Sequence, residues 1–227
     1  SPSGQSRPFH KDADGLVPAN GAGMVLLKRL EDAQRDGDSI LGVIRAVALS
    51  NDGRGKGFLA PSKEGQIRAM RSAYELADLN PGDISLLECH ATGTTVGDKT
   101  EIESMSAVFE GSEDLPVGSL KSNMGHLITA AGVAGLIKVI EAMKAGVRPA
   151  SLHASEKNEA LENSPIRVLD QNEAWLCDGP RRAGVSAFGF GGNNAHLIVE
   201  EYSEKTAPAS QPSPTLPRSP IAIVGLG

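Results

Sequence analysis

Three glycine-flanked segments hold the residues whose types and spacing could do chemistry. The first runs Glu88-Cys-His90-Ala-Thr92-Gly-Thr94-Thr95-Val-Gly-Asp98, and the second runs Lys121-Ser-Asn123-Met-Gly125-His126. The third is Phe188-Gly-Phe190-Gly-Gly-Asn193-Asn194-Ala-His196. Each polar cluster follows an apolar run that reads as a strand, and strand ends at the edge of an α/β sheet are where ligand sites form. Imidazole changes its proton state near neutral pH, which makes His90 and His126 candidates for proton transfer or for donating to a developing negative charge. Taken singly, a loop histidine, a Thr-Gly pair or Lys121 is ordinary loop chemistry. Two histidines on separate strand-to-helix turns, followed by a glycine-dense turn, favour a joint site, but the spacing leaves the reaction open. Gly184-Val-Ser186-Ala-Phe188 departs from the Gly-x-Ser-x-Gly nucleophile elbow at its fifth position, which argues against a serine hydrolase.

The elements that must carry these segments follow from the apolar pattern. Residues 24–30 read as a buried strand, 31–38 as a polar connection, and 40–49 as a strand rich in Ile and Val. Ser62 reads as the N-cap of a helix reaching about Leu79, with Ile67, Met70, Ala73, Tyr74 and Leu76 as its buried stripe. Asn80-Pro-Gly-Asp83 is a strong turn signal. Residues 84–89 read as a strand, 90–98 as a loop and 99–109 as a helix. The unit recurs: a strand at 117–121, a loop at 122–125 and a helix at 127–145. That helix is so rich in Ala, Gly, Val, Leu and Ile that it is expected to be buried nearly all round. Residues 185–188 and 195–201 read as strands around the turn at 189–192. Alternating strands and helices predict an α/β layered fold.

Composition narrows the class further. The 227 residues carry a net charge of −6 with no long run of one sign, so nucleic acid is not an expected partner. The two cysteines, Cys89 and Cys177, lie outside any metal-ligand spacing. No secretory leader is visible. The longest apolar stretch, 127–137, is too short for a bilayer, which takes about 20 residues. A soluble cytoplasmic protein that binds neither a metal nor a membrane is the expectation. Residues 203–219 are rich in Pro and Ser and read as a linker. The run at 220–227 reads as the start of a following domain, and both ends of the chain read as cuts from a longer protein.

The three segments resemble the signature loops of the β-ketoacyl synthase family. His90-Ala-Thr-Gly-Thr94 is similar to its His-Gly-Thr-Gly-Thr loop, and Lys121-Ser-Asn-Met-Gly-His126 to its Lys-Ser-Asn-Ile-Gly-His loop. The stretch 184–196 resembles its closing Gly-Phe-Gly-Gly-Thr-Asn-Ala-His segment. Arg7-Pro-Phe9 and Gly21-Ala-Gly23 match in order, and the likeness covers roughly residues 1–202, nearest to modular polyketide synthases. It implies a thiolase-like α-β-α-β-α fold, with 1–38 ending the N-terminal half of the domain and 39–202 forming the C-terminal half. It also implies an acyltransferase that performs decarboxylative Claisen condensation between an acyl thioester and a malonyl unit on acyl carrier protein.

The resemblance gives each residue a role. His90 and His126 correspond to the histidine pair at the decarboxylation centre. Lys121 corresponds to the lysine that organises it, with Asp98 and Glu101 in its network. Thr92 and Thr94 correspond to the threonines that bind the phosphopantetheine arm of the carrier protein, and Phe190 to the gating phenylalanine beside an oxyanion hole. No cofactor is expected to bind directly. The nucleophilic cysteine is expected upstream, so this chain alone is expected to be inactive and to need the upstream half of its domain. A homodimer is expected for the full protein. Ala91 stands at a glycine position, Asn20 at a common Glu and Asn193 at a common Thr. The run at 220–227 also resembles the opening strand of ketosynthase domains and is read as the start of a second ketosynthase-like domain. Three alternatives stay open: a non-catalytic chain-length-factor-like or structural homologue, a dinucleotide-binding domain opening at the Gly-x-Gly of 225–227, and a fragment serving only as an interaction surface.

Overall fold

The computed structural model describes residues 1–53, 57 and 60–203; the expected linker from 204 and the run at 220–227 lie outside the described residues. Strand β1 (Val43–Asn51) and the strands β2 (Leu86–Glu88), β3 (Leu115–Gly118), β5 (Ile166–Val168), β7 (Arg182–Gly189) and β8 (Asn193–Glu200) make one six-stranded sheet in the order β1-β8-β7-β2-β3-β5. Two short strands, β4 (Val147–Arg148) and β6 (Glu173–Ala174), pair separately. β2, β3 and β5 are parallel, and β7 is the seam: it runs parallel to β2 and antiparallel to β8.

Successive strand residues face opposite sides of the sheet, and β2 shows what this does. Leu87 enters a core built by helices α2 (Lys63–Ala77) and α3 (Thr95–Val108), while Leu86 enters the core under α5 (Ala131–Ala145). The described residues therefore form a helix layer, a sheet and a second helix layer. Ser62 caps α2 by accepting the Gly65 N–H at 3.3 Å, as the sequence predicts. Parallel neighbours release their following loops at one sheet edge. β2 leads into the His90 segment and α3; β3 leads into the one-turn helix α4 (Lys121–Met124) and then α5; β7 leads into the turn bearing Phe190.

Several expectations are corrected. Residues 24–29 are not a buried strand: Met24 is 94% and Leu26 98% exposed. The reason is that no strand lies beside them among the described residues to take up their backbone N–H and C=O groups. The polar stretch behind them is helix α1 (Leu30–Asp36), with acidic residues in its first turn and Gly37 closing it at φ 70°. α3 starts at Thr95, four residues earlier than its pattern suggests, which puts Asp98 on the helix. α5 is buried along one face only, through Gly135, Leu136, Val139, Ala142 and Met143. In α2, Leu76 lies outside the buried stripe. His10, just past Arg7-Pro-Phe9, is buried, with Nδ1 accepting the Asp12 N–H. His196, the last residue of the third segment, lies on β8, fully buried, between Ser186 and Tyr74.

Candidate active site

The His90 segment is tied down by two carboxylates from the helix that follows it. Glu101 accepts the His90 N–H at 2.8 Å and the Ala91 N–H at 2.6 Å. Asp98 accepts from Thr92 at 3.0 Å, Gly93 at 3.1 Å and, across the fold, Phe9 at 2.7 Å. Both are buried in the first two turns of α3, close enough to reach back over the loop. Ala91 takes none of the positive φ that would strain it, whereas Gly93, at φ 75°, does the turning. The hydroxyls of Thr92 and Thr94 lie 3.0 Å apart.

His126 is delivered by a different turn. Its N–H donates to Val17 O at 2.7 Å, and its carbonyl accepts the Ala19 N–H at 2.9 Å, next to exposed Asn20. The N-terminal segment thus fixes the backbone of this histidine. The Ile128 N–H donates to His126 Nδ1 at 2.9 Å. Nδ1 must then be an acceptor, so the proton of the neutral ring sits on Nε2. The rings of His90 and His126 meet edge to face with centroids 5.5 Å apart, and Phe188 of β7 lies 5.9 Å from His90. Two imidazoles from separate turns therefore come together beside Phe188.

The electrostatics follow from burial. Desolvation holds His90 well below the ordinary imidazole range, with Lys121 and His126 adding to it. Burial beside Lys121 lowers His126 to about 4. Both rings are neutral at pH 7, able to donate an N–H without carrying charge. Burial raises Glu101 to about 7 and Asp98 to about 6, against the backbone N–H groups that favour their ionised forms. Lys121 is buried, its pKa lowered by desolvation, against which the carboxylates of Glu88, Glu101 and Asp98 favour its charged form. Asp98 and Glu101 act on Lys121 through space, while their oxygens bond loop backbone.

Phe190 lies at the tip of the β7–β8 hairpin, 55% exposed. The turn is anchored from the β1–α2 connection. Asn51 Nδ2 donates to Gly191 O at 3.2 Å and Asn193 Oδ1 at 3.0 Å; the Asp52 N–H donates to Gly192 O at 2.9 Å. Asn194 Nδ2 reaches Asp52 Oδ1 at 2.7 Å. Asn193 thus spends its side chain on this anchor. Cys89 is buried, its thiol pushed up by desolvation, which leaves it a poor nucleophile. Cys177 is exposed and free. Sequence reasoning gave no part to Asn51, Asp52, Glu88 or Lys138, although a charged residue closing the apolar strand at Glu88 was a usable signal.

Comparisons with known proteins place the chain in a family. The family model described as beta-ketoacyl synthase, C-terminal domain, matches residues 41–155. The ketoacyl-synthetase C-terminal extension matches 155–222, and the beta-ketoacyl synthase N-terminal domain matches 1–33. A phenolphthiocerol/phthiocerol polyketide synthase of Mycobacterium tuberculosis is 43% identical over 99% of this chain, and a PKS-NRPS hybrid synthetase of Aspergillus niger 45% over 88%. The chain spans 12% of the length of each. Among solved structures, the ketosynthase from module 6 of the bacillaene synthase of Bacillus subtilis superposes with a TM-score of 0.87 at 41% identity, over 89% of this chain and 38% of its own. An oxazolomycin ketosynthase domain of Streptomyces albus gives 0.87 at 40%, over 93% and 39%. With about half its length under the family's C-terminal model and its backbone laid over solved ketosynthases, this chain belongs to the β-ketoacyl synthase family of condensing enzymes, as part of a polyketide-synthase ketosynthase domain with the thiolase-like fold.

Proposed function

We propose that this chain supplies the decarboxylation half of a Claisen condensation between an acyl thioester and a malonyl unit carried on the phosphopantetheine arm of an acyl carrier protein. The malonyl carboxylate leaves as carbon dioxide. Its electron pair passes to the α-carbon and onto the thioester oxygen as an enolate. His126, whose Nε2–H faces away from the Ile128 N–H, donates to that oxygen together with His90. Preorganised donors aimed at a charge that forms only in the transition state lower the barrier, because little reorganisation is needed at the moment of reaction. The carbanion then attacks the acyl thioester carbonyl, and the thiolate of an upstream cysteine leaves.

In this reading Lys121 provides a fixed positive field beside both rings, and Glu101 and Asp98 hold the backbone of the His90 segment. Thr92 and Thr94 bond the phosphopantetheine arm. Phe190 gates the crevice from the hairpin tip, with the Asn51–Asp52 anchor behind it. The upstream half of the domain brings the nucleophile, so these residues alone do not condense. The carrier protein and a second copy of the whole protein are the partners.

The observation that carries the reading is the approach of two neutral imidazoles, from separate turns, to 5.5 Å between ring centres. The test is release of carbon dioxide from malonyl carrier protein by the complete domain. His90→Ala and His126→Ala are each expected to slow it by roughly 10²–10³-fold, the loss seen when one oxyanion donor is removed. Wild-type release from either variant ends the proposal.

A further inference from the structure

The backbone ladder between β2 and β3 stops just short of the chemistry. Its last pair is Glu88 with Gly118, and the Cys89 N–H on Gly118 O at 2.8 Å is its final rung. Beyond it the two chains part, one into the His90 segment and one into α4. Side chains then take over the connection. Ser119 Oγ donates to Ala91 O at 2.9 Å. Glu88 Oε1 accepts the Leu120 N–H at 2.6 Å, and its other oxygen accepts from Lys138 Nζ of α5 at 2.7 Å. Both partners are enclosed, Glu88 4% and Lys138 12% exposed. Leu120 directly precedes Lys121, and Glu88 stands two residues before His90.

The surroundings are shaped for this pair. A Cβ on Gly135 would come 3.0 Å from Glu88 Cγ, so α5 can approach only where it lacks a side chain. A Cβ on Gly118 would meet Ser151 Oγ at 3.0 Å and Lys138 Nζ at 3.6 Å. A carboxylate that accepts from a backbone N–H with one oxygen and an ammonium with the other makes two charge-assisted bonds in a buried site. Of the carboxylates around Lys121, Glu88 weighs most in favour of its charged form. Neither Glu88 nor Lys138 touches the crevice chemistry proposed above.

We propose that Glu88 and Lys138 are positioning residues: a buried ion pair that clamps the backbone of Leu120 to the end of β2 and so sets Lys121 and His126 against His90. The proposal rests on reading the two histidines as the enolate donors. It explains why a charged residue ends a strand that is otherwise apolar. A catalytic group displaced by about 1 Å loses on the order of 10²-fold in rate, so a clamp one residue from Lys121 has leverage on turnover.

The experiment uses the complete condensing domain with malonyl carrier protein, and separates the clamp from the mere presence of charge. Glu88→Gln with Lys138→Met keeps an oxygen for the Leu120 N–H and leaves no lone buried charge. Glu88→Ala with Lys138→Met removes the oxygen as well. The Gln/Met pair is expected to decarboxylate within about 5-fold of wild type, and the Ala/Met pair to lose on the order of 10²-fold in kcat with KM little changed. An Ala/Met protein that folds and turns over like wild type overturns the proposal. If Ala/Met does not fold, Glu88→Asp decides the matter. It keeps the charge but falls short of one partner, so lowered kcat at unchanged KM supports the clamp and wild-type kcat removes it. His126→Ala is run alongside. If it stays active, the histidine reading has failed; if it is inactive while Ala/Met is active, only the clamp has failed.

Discussion

Ile128 shows how a single residue can serve the site through its backbone. It holds φ 52°, in the left-handed region where a β-branched side chain is crowded, and its N–H donates to His126 Nδ1 at 2.9 Å. The cost of such a conformation is about 1–2 kcal/mol, and strain of this kind gathers at functional sites. Ile128→Gly is therefore expected to raise stability by about 1 kcal/mol, read as a higher denaturation midpoint; an unchanged or lower midpoint would mean the turn carries no strain. At this scale the histidines, Lys121 and the two threonines were legible from their spacing and family likeness. The bond that selects the His126 tautomer was not, because a backbone N–H has no residue type to betray it. Glu88 was legible in principle as a charge at the end of an apolar run. Its partner was not, since Lys138 lies 50 positions away, a lone charge in a helix whose apolar composition draws attention only to burial.

Elements were legible where local signals sufficed. α2 announces itself through Ser62, its buried stripe and the Asn-Pro-Gly-Asp turn beyond it. Ser62→Ala is expected to lower stability by about 1 kcal/mol, the usual loss of an N-cap, without moving the sheet; thermal melts of the two proteins check it. The β7–β8 hairpin was equally plain from its glycine turn. Gly184 within it leaves room for the helical side of the sheet: a Cβ there would meet Leu87 Cδ1 at 2.7 Å and His196 Cε1 at 2.8 Å. Gly184→Ala is expected to destabilise by roughly 1–3 kcal/mol through overpacking, measured by urea unfolding. The segment 24–29 misled because apolar composition signals burial but not the identity of the cover. α1 was missed although Glu31, Asp32 and Gly37 are ordinary start and stop signals; the charges hid its single buried residue, Ala33.

For the molecule as a whole, buried histidines set the response to acid. His196 has no exposed surface, and desolvation depresses it to about 3. Its unfolded value is near 6.5, so between those two values the unfolded chain binds the proton and the folded chain does not. The stability tied to this group is complete above about pH 6.5 and drains away as pH falls toward 3, by roughly 1.4 kcal/mol per unit. His90 and His126 act in the same direction. Asp98 and Glu101, raised by burial, act in the opposite one, because the folded state holds their protons more tightly. His196→Gln is expected to lower stability at pH 7 while flattening its decline between pH 6 and 4, in urea titrations at each pH; an equally steep decline would place the acid response elsewhere. Layering and strand alternation were readable from the sequence, whereas the meeting of two loops from parallel neighbours had to await the sheet order. The exposed Met24 offers a practical handle on the same question of assembly. Mild peroxide acting on these residues alone should convert Met24 and the half-exposed Met124 to sulfoxides first, leaving Met70, Met105 and Met143 for last. Slower oxidation at Met24 in the complete domain would footprint the surface that comes to lie on it.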